Sequence, residues 1–375
     1  MSFLRKFKDT FHTSLWEVMI GVTLITVFIV LRFTLDDIPL YIIILGFIVG
    51  VWLAFRPSEW AVEGLDSASK YVGFSDYTAG TISSLASNLP EAVIAIFMFI
   101  AGQHIIATVT ILSAAGFNAI ILGVAILIAT LKKKGHVDVP EGLEKKEAPI
   151  IRWAIVALLM TVCFGFIEYF QKSDEIAVLT KPVGGFLAAG YIFYLIYLAI
   201  SERKSKNKRQ EEGVVHEKPK LSKIMTVIIL LLGFCGIILG GETLSFCVEE
   251  LIHVQNIELR PEFLGLILGA AGALPEHGIA LVSAAKDEVE IAFGNAIGGI
   301  LQSSLLIFGL LGTIFVIELS PFVLLQLAAT AVILWFTIRC ITDDKRFDTF
   351  EGIMILLLQF FVFAILIEDV LLSGL

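Results

Sequence analysis

Apolar runs of about 20 residues, parted by short polar segments, recur along the whole chain, and that is the length at which a helix crosses a bilayer core. Hydropathy places them near 16–34, 38–55, 68–101, 104–131, 150–170, 183–200, 223–245, 260–285, 289–317, 320–341 and 350–372. The pattern predicts an all-α integral membrane protein of about eleven spans, with no strands. The runs at 68–101 and 260–285 are the least continuous, because small and polar residues sit midway in each. The first run, Trp16 to about Thr34, is longer than a signal-peptide core and has no small-residue cleavage site before Asp36 and Asp37, so it is expected to be retained.

Composition sharpens this reading. Hydrophobic residues make up 57% of the 375, charged residues only 17%, and the mean hydropathy is +0.89, which excludes a soluble domain with a polar surface. The expected surroundings are the lipid bilayer. The net charge of −9 is spread over loops and helix ends without a continuous tract, and no nucleic acid is expected as a partner. Cys163, Cys235, Cys247 and Cys340 lie inside apolar runs without metal-ligand spacing, so they read as small packing residues.

Basic residues alternate from loop to loop. With the N-terminus in the cytoplasm, the cytoplasmic loops hold Lys132, Lys133, Lys134, Lys145 and Lys146, then Arg203, Lys204, Lys206, Lys208 and Arg209, then Arg339, Lys345 and Arg346. The outer loops carry mainly Lys172, Lys181 and Arg260. That satisfies the positive-inside rule, places the C-terminus outside, and suggests the plasma membrane. The one long polar linker, 201–222, divides the chain into an N-terminal helix (1–37), a first five-helix repeat (38–200) and a second (223–375).

The halves share a motif. Ser-Asn-Leu-Pro-Glu at 87–91 matches Gly-Ala-Leu-Pro-Glu at 272–276, an offset of 185 residues (276 less 91). Each glutamate is followed 27 positions later by a polar residue midway along the next span, Asn118 after Glu91 and Ser303 after Glu276. The two motif-bearing spans run in opposite directions. Inverted repeats with interrupted helices point to a secondary transporter whose substrate site lies near the membrane midplane.

The chemistry at the motifs follows from what lipid withholds. Pro90 and Pro275 lack an N–H, leaving the carbonyls of Ala86 and Ala271 in need of partners. A carboxylate at a helix centre costs roughly 2.5–3.5 kcal/mol on insertion scales, so two of them require a compensating role. A divalent cation supplies it: two glutamates neutralise the charge and offer four oxygens, and Ca2+ takes about 6–8. Asn88, Ser87, Asn118, Gln302, Ser303 and freed carbonyls are the candidates for the remainder, and the lack of soft ligands favours a hard cation. Ser87 and Asn88 share a helical face with Glu91, whereas the second repeat has Gly272 and Ala273 in their places. His277, beside Glu276, is a candidate to carry or gate a proton, with a hydrogen-bonded packing role as the other reading. Gly294, Gly298 and Gly299, matched by Ser113 to Gly116, read as helix-packing stripes, and Lys286, Asp287, Glu288 and Glu290 as a solvated turn.

At these residues the sequence resembles the calcium/cation antiporter superfamily, whose paired alpha repeats carry a Pro-Glu or Asn-x-x-Glu core followed by a Gly-Ser-x-x-Asn-like helix. The resemblance covers roughly 60–130 and 245–317, and the run from Glu63 to Ser75 is similar to the lead-in of sodium/calcium exchangers. Asn88 before Glu91, the Glu276-His277 pair, and Gly298-Gly299-Ile300-Leu301-Gln302 are similar to elements of the proton-coupled branch, as is the extra first helix. Pro90 and Pro275 are typical of the sodium-coupled branch, but Gly272 and Ala273 stand where that branch favours hydroxyls.

The resemblance implies two inverted five-helix bundles in which Glu91 and Glu276 bind the cation on one side and release it on the other. The expected function is therefore exchange of Ca2+, or a similar divalent cation, for H+ by alternating access, with Na+ as the alternative counter-ion and no cofactor. A passive cation channel with the same carboxylates as a filter is the competing class. An enzyme is not expected, since HExxH, GxSxG and a Ser/His pair in matching positions are all missing.

Overall fold

The computed structural model describes residues 13–35, 37–73, 76–133, 135–171, 177–211, 219, 221–253 and 260–372. Among the described residues, ten helices are long and apolar enough to cross a membrane. The chain begins with α1 (Leu15–Thr34), capped by the Ser14 hydroxyl, which accepts from the Glu17 N–H. The first repeat then contains α2 (Leu40–Val72), α3 (Asp76–Ser87), α4 (Leu89–Ile100), α5 (His104–Lys132), α6 (Ala148–Gln171) and α7 (Lys181–Glu211). The second contains α8 (Lys223–His253), α9 (Pro261–Ala285), α10 (Val289–Leu301), α11 (Phe308–Ile314), α12 (Pro321–Arg339) and α13 (Thr349–Leu372). A π-helical turn at Gln302–Ile307 joins α10 to α11 into one crossing.

Two expectations about the spans change. The run predicted at 38–55 continues to Val72, a helix of 33 residues that ends where Gly73 adopts φ 84°, the left-handed conformation that glycine takes without steric cost. The run predicted at 68–101 is two 12-residue helices, α3 and α4, separated at Asn88. The polar linker also shrinks, since α7 runs on to Glu211, and much of the remaining linker lies outside the described residues. The sequence ahead of residue 13, which carries the basic residues Arg5, Lys6 and Lys8, lies outside the described residues too.

Short strands, absent from the sequence prediction, tie the halves together. β1 (His136–Asp138) pairs antiparallel with β4 (Arg346–Asp348), and β2 (Val178–Leu179) with β3 (Ile317–Glu318). Each pair joins a loop of one repeat to a loop of the other. Such ladders of two or three residues carry no hydropathy signal, and they form only because folding brings those loops together. Lys133 pairs with Asp287 at 3.3 Å and Lys345 with Glu144 at 2.8 Å at the end of the bundle holding β1 and β4.

The core of the bundle is assembled by close helix contacts of the kind membrane proteins use where lipid removes the hydrophobic driving force between helices. α2 and α8 lie against each other along much of their length, and an added methyl at Gly233 or Gly240 would meet backbone atoms of Pro57 and Ala61, or of Leu53 and Ala54, within 3 Å. α5 packs against α9, α10 and α13 and is mostly buried. α1 lies against α2, with Arg32 reaching Glu242 of α8 at 2.8 Å and Arg56 of α2 reaching Glu17 of α1. Of the four cysteines, Cys247 and Cys340 are buried packing residues as expected, whereas Cys163 and Cys235 are exposed on the outside of the bundle.

Candidate functional site

The two repeats meet at their glutamates. Glu91, in the first turn of α4, and Glu276, midway along α9, both have no exposed surface. Gly272 lies so close to Glu91 that an added Cβ would stand 2.8 Å from its Cβ and 3.1 Å from its backbone nitrogen. The carboxylates interact electrostatically and share a hydrogen-bonded shell.

Glu276 is the better satisfied of the two. Its Oε1 accepts from the Asn88 amide and lies 3.0 Å from the Ser87 hydroxyl, and its Oε2 accepts from the Asn118 amide at 2.5 Å. Its backbone carbonyl accepts from the Asn295 amide at 3.0 Å. Glu91 Oε1 accepts from the Ser303 hydroxyl at 2.6 Å, while its Oε2 is buried without a hydrogen-bond partner. The carbonyl oxygen of the Asn118 side chain is also buried and unpartnered. The hydrogen-bond partners of both carboxylates are uncharged.

Asn88 links the two sides. Its amide donates to Glu276 and, at 2.5 Å, to Gln302 Oε1, and its own carbonyl oxygen lies 3.5 Å from the Ser303 hydroxyl. Gln302 in turn donates to the Ser84 hydroxyl at 2.7 Å. The structure thus brings Glu91, Glu276, Ser87, Asn88, Asn118, Gln302 and Ser303 into one buried cluster. His277 is placed elsewhere: its ring lies against Phe117, centroids 6.2 Å apart, and no hydrogen bond joins it to either carboxylate. A helical residue adjacent to an inward-facing one points about 100° away, which carries His277 off the site.

Local sequence explains why only one repeat breaks. Ser87 Oγ and Asn88 Nδ2 both donate to the Ser84 carbonyl, at 2.7 and 3.2 Å, so short polar side chains replace the backbone bond and let the helix stop there. The second repeat has Gly269, Gly272 and Ala273 at the equivalent places, and α9 runs through Pro275 as one helix, contrary to the expectation of two interrupted helices. Small residues here allow contact instead: an added Cβ at Gly269 would meet the Thr110 carbonyl and Ser113.

Three features of the site were not read from sequence. Ser84 extends the Ser87/Asn88/Glu91 face by one turn, a spacing signal that was present in the chain. Asn295 holds the Glu276 carbonyl. Gly299, read as packing, is a cradle, because an added Cβ would intrude on both Asn118 Nδ2 and Glu276 Oε2. A cavity of about 450 Å³ approaches the cluster, lined by Glu290 and Glu147 toward one end and by Ser84 and Gln302 next to the site, with Tyr191 among its walls. Glu290, expected in a solvated turn, therefore also faces this cavity.

Inverted repeats that enclose two uncompensated carboxylates in the middle of a helical bundle define a polytopic membrane transporter of cations. A sequence profile described as sodium/calcium exchanger protein matches residues 38–200 and 225–367, and the chain belongs to that family, whose members are transporters rather than enzymes. It is 26% identical over 281 residues to the inner membrane protein YrbG of Escherichia coli K12, covering 73% of this chain and 80% of that one. It is 23% identical over 313 residues to vacuolar cation/proton exchanger 2 of Arabidopsis thaliana, covering 77% and 69%. Among solved structures, the H+/Ca2+ exchanger CAX superposes with a TM-score of 0.68 at 14% identity, covering 95% of this chain and 92% of that one. The sodium-calcium exchanger NCX_Mj superposes with a TM-score of 0.57 at 17% identity, covering 85% and 96%. The fold of two inverted five-helix repeats is thus shared with membrane cation exchangers.

Proposed function

We propose that this protein exchanges a divalent cation, Ca2+ or one like it, for protons across its membrane by alternating access. The observation that carries the reading is the pair of fully buried carboxylates with only neutral partners, beside two oxygens, Glu91 Oε2 and Asn118 Oδ1, that are buried and unpartnered. Two buried negative charges without a counter-charge are strongly unfavourable, so the site is neutralised either by one divalent ion or by protons. Mutually exclusive occupancy is the requirement for antiport. Glu91, Glu276, Ser87, Asn88, Asn118, Gln302 and Ser303 supply the hard oxygens, and the carboxylates themselves carry the protons, since His277 faces Phe117.

Protons are favoured over Na+ because the motif segment of the second repeat offers no hydroxyl: Gly272 and Ala273 have no side-chain oxygen, and Gly272 is pressed against Glu91. The similar CAX structure is an H+/Ca2+ exchanger and the Arabidopsis relative a vacuolar cation/proton exchanger, which agrees with this choice. The basic loops gathered with β1 and β4 favour that end as cytoplasmic, with the N-terminus inside, the C-terminus outside and the plasma membrane as the location.

Purified protein in liposomes tests the reading. Ca2+ uptake is expected to follow an imposed pH gradient and to ignore an Na+ gradient of the same size. Uptake driven only by Na+ moves the chain to the sodium-coupled alternative, and conduction independent of either gradient makes it a channel.

A further inference from the structure

We propose that the Gln302 side chain is a latch between the cavity and the carboxylate pair, and that Ser84 is the positioning residue that holds it shut. The proposal rests on the exchanger reading and specifies how access to its site is controlled. Gln302 and Ser84 line the cavity, whereas Glu91, Glu276 and Asn88 do not. Gln302 joins both spaces through its side chain: its Oε1 accepts from Asn88 at 2.5 Å on the site side, and on the cavity side its Nε2 donates to Ser84 Oγ at 2.7 Å and Tyr191 is a further hydrogen-bond partner of the amide. With both bonds made, the amide lies across the way from the cavity to Glu276.

Ser84 is built to be the fixed half of this contact. Its hydroxyl donates to the Thr81 carbonyl at 2.8 Å within α3, which orients its lone pairs to accept from Gln302. It bonds neither carboxylate. Gln302 is the movable half, because it is the first residue of the π-helical turn Gln302–Ile307 inside an otherwise α-helical crossing. A π turn carries one residue more than the α register, so its side chains can be re-aimed without unfolding the helix. The next residue of that turn, Ser303, holds Glu91 at 2.6 Å. A change of register there swings Gln302 from Ser84 and releases the Ser303 hydroxyl from Glu91 in one movement, which couples opening of the path to loosening of a ligand carboxylate.

The test is carboxylate labelling of the whole protein in detergent, free of metal, by a water-soluble carbodiimide with an amine, read by peptide mass spectrometry. Labelling of Glu276 is expressed relative to Glu290, which is exposed beside the cavity. In the wild type Glu276 is expected to label much more slowly than Glu290. Losing the one hydrogen bond in Ser84→Ala is expected to raise the ratio about fivefold to tenfold, while Ser84→Thr, which keeps the hydroxyl, stays within about twofold of wild type. Gln302→Met, of similar length but unable to make either bond, gives the same rise by an independent change should Ser84→Ala fail to fold.

A wild-type ratio near one, an unchanged ratio in whichever of Ser84→Ala and Gln302→Met folds, or an equal rise in Ser84→Thr overturns the latch. Because labelling is done without cation, it is judged separately from transport: absence of exchange in wild-type liposomes rejects the functional reading and leaves the labelling result standing.

Discussion

Ser84 to Glu91 and Gly269 to Glu276 occupy equivalent places in the two repeats and end in the same Leu-Pro-Glu, yet they do different work. The first breaks its helix at Asn88 and points Ser84, Ser87, Asn88 and Glu91 into the site. The second stays helical through Pro275, contributes Glu276 to the cluster, and uses Gly269 and Gly272 to bring its backbone against α5 and Glu91. One segment supplies polar groups and the other supplies proximity. A site between inverted repeats therefore need not be chemically symmetric: two carboxylates meet only if at least one helix is thin enough to let the other approach.

Glu91→Gln and Glu276→Gln remove what the two segments share, and each is expected to reduce gradient-driven Ca2+ uptake in liposomes to background. A variant that kept wild-type uptake would show that only one repeat binds the ion.

Next in size is Gly299→Ala, whose methyl group enters the space of Asn118 and Glu276. It is expected to lower the uptake rate tenfold or more, the scale of about 1–3 kcal/mol for overpacking. The neighbouring Gly298→Ala has its nearest atom at 3.7 Å and is expected to transport close to wild type. Equal effects of the two would mean that the stripe serves packing alone.

Asn88→Ala makes the first segment resemble the second. It removes a donor to Glu276 and one to Gln302, and a rise of about fivefold to tenfold in the Ca2+ concentration for half-maximal uptake is expected, the scale of one or two net hydrogen bonds. The converse change, Gly272→Ser, crowds the Glu91 backbone and should destabilise the protein by about 1–3 kcal/mol, read as a lower Tm in detergent. If Gly272→Ser instead raised Na+-driven uptake at unchanged Tm, the proximity argument for the second segment would fail.

The smallest effect concerns polar residues that the second half keeps away from the site. Gln326 and Gln359, both buried, bond each other reciprocally at 3.2 and 3.0 Å. Each single change to Leu is expected to cost about 0.6–1.7 kcal/mol in the same melting experiment, the range for side-chain bonds between membrane helices, with the double change nearer wild type than either single. A double variant worse than both would assign these amides a role beyond pairing.

Much of this arrangement was readable along the chain. Apolar runs of bilayer length mark the crossings, proline followed by glutamate marks the motifs, and the 185-residue offset marks the repeat, because a hydrocarbon solvent tolerates charge and helix-breaking residues only where they have a partner. Ser87, Asn88, Asn118, Gln302 and Ser303 were identified in the same way, as polar residues in apolar surroundings. His277 was misdirected by the same logic: adjacency in sequence to Glu276 is not adjacency in space on a helix.

Sequence by itself determined which residues lipid would drive to the centre of the bundle and that the chain is a polytopic helical membrane protein. Tertiary structure alone decided that Gly299 is a cradle and not merely a packing stripe, that Glu290 and Glu147 face a common cavity, and that two- and three-residue strands clip one repeat to the other. The reason is one of range. Solvation acts on each residue where it stands in the chain, whereas close approach, cavities and short ladders depend on residues far apart in sequence, such as Ser84 and Gln302 at 218 positions, being set side by side by the packing of the helices.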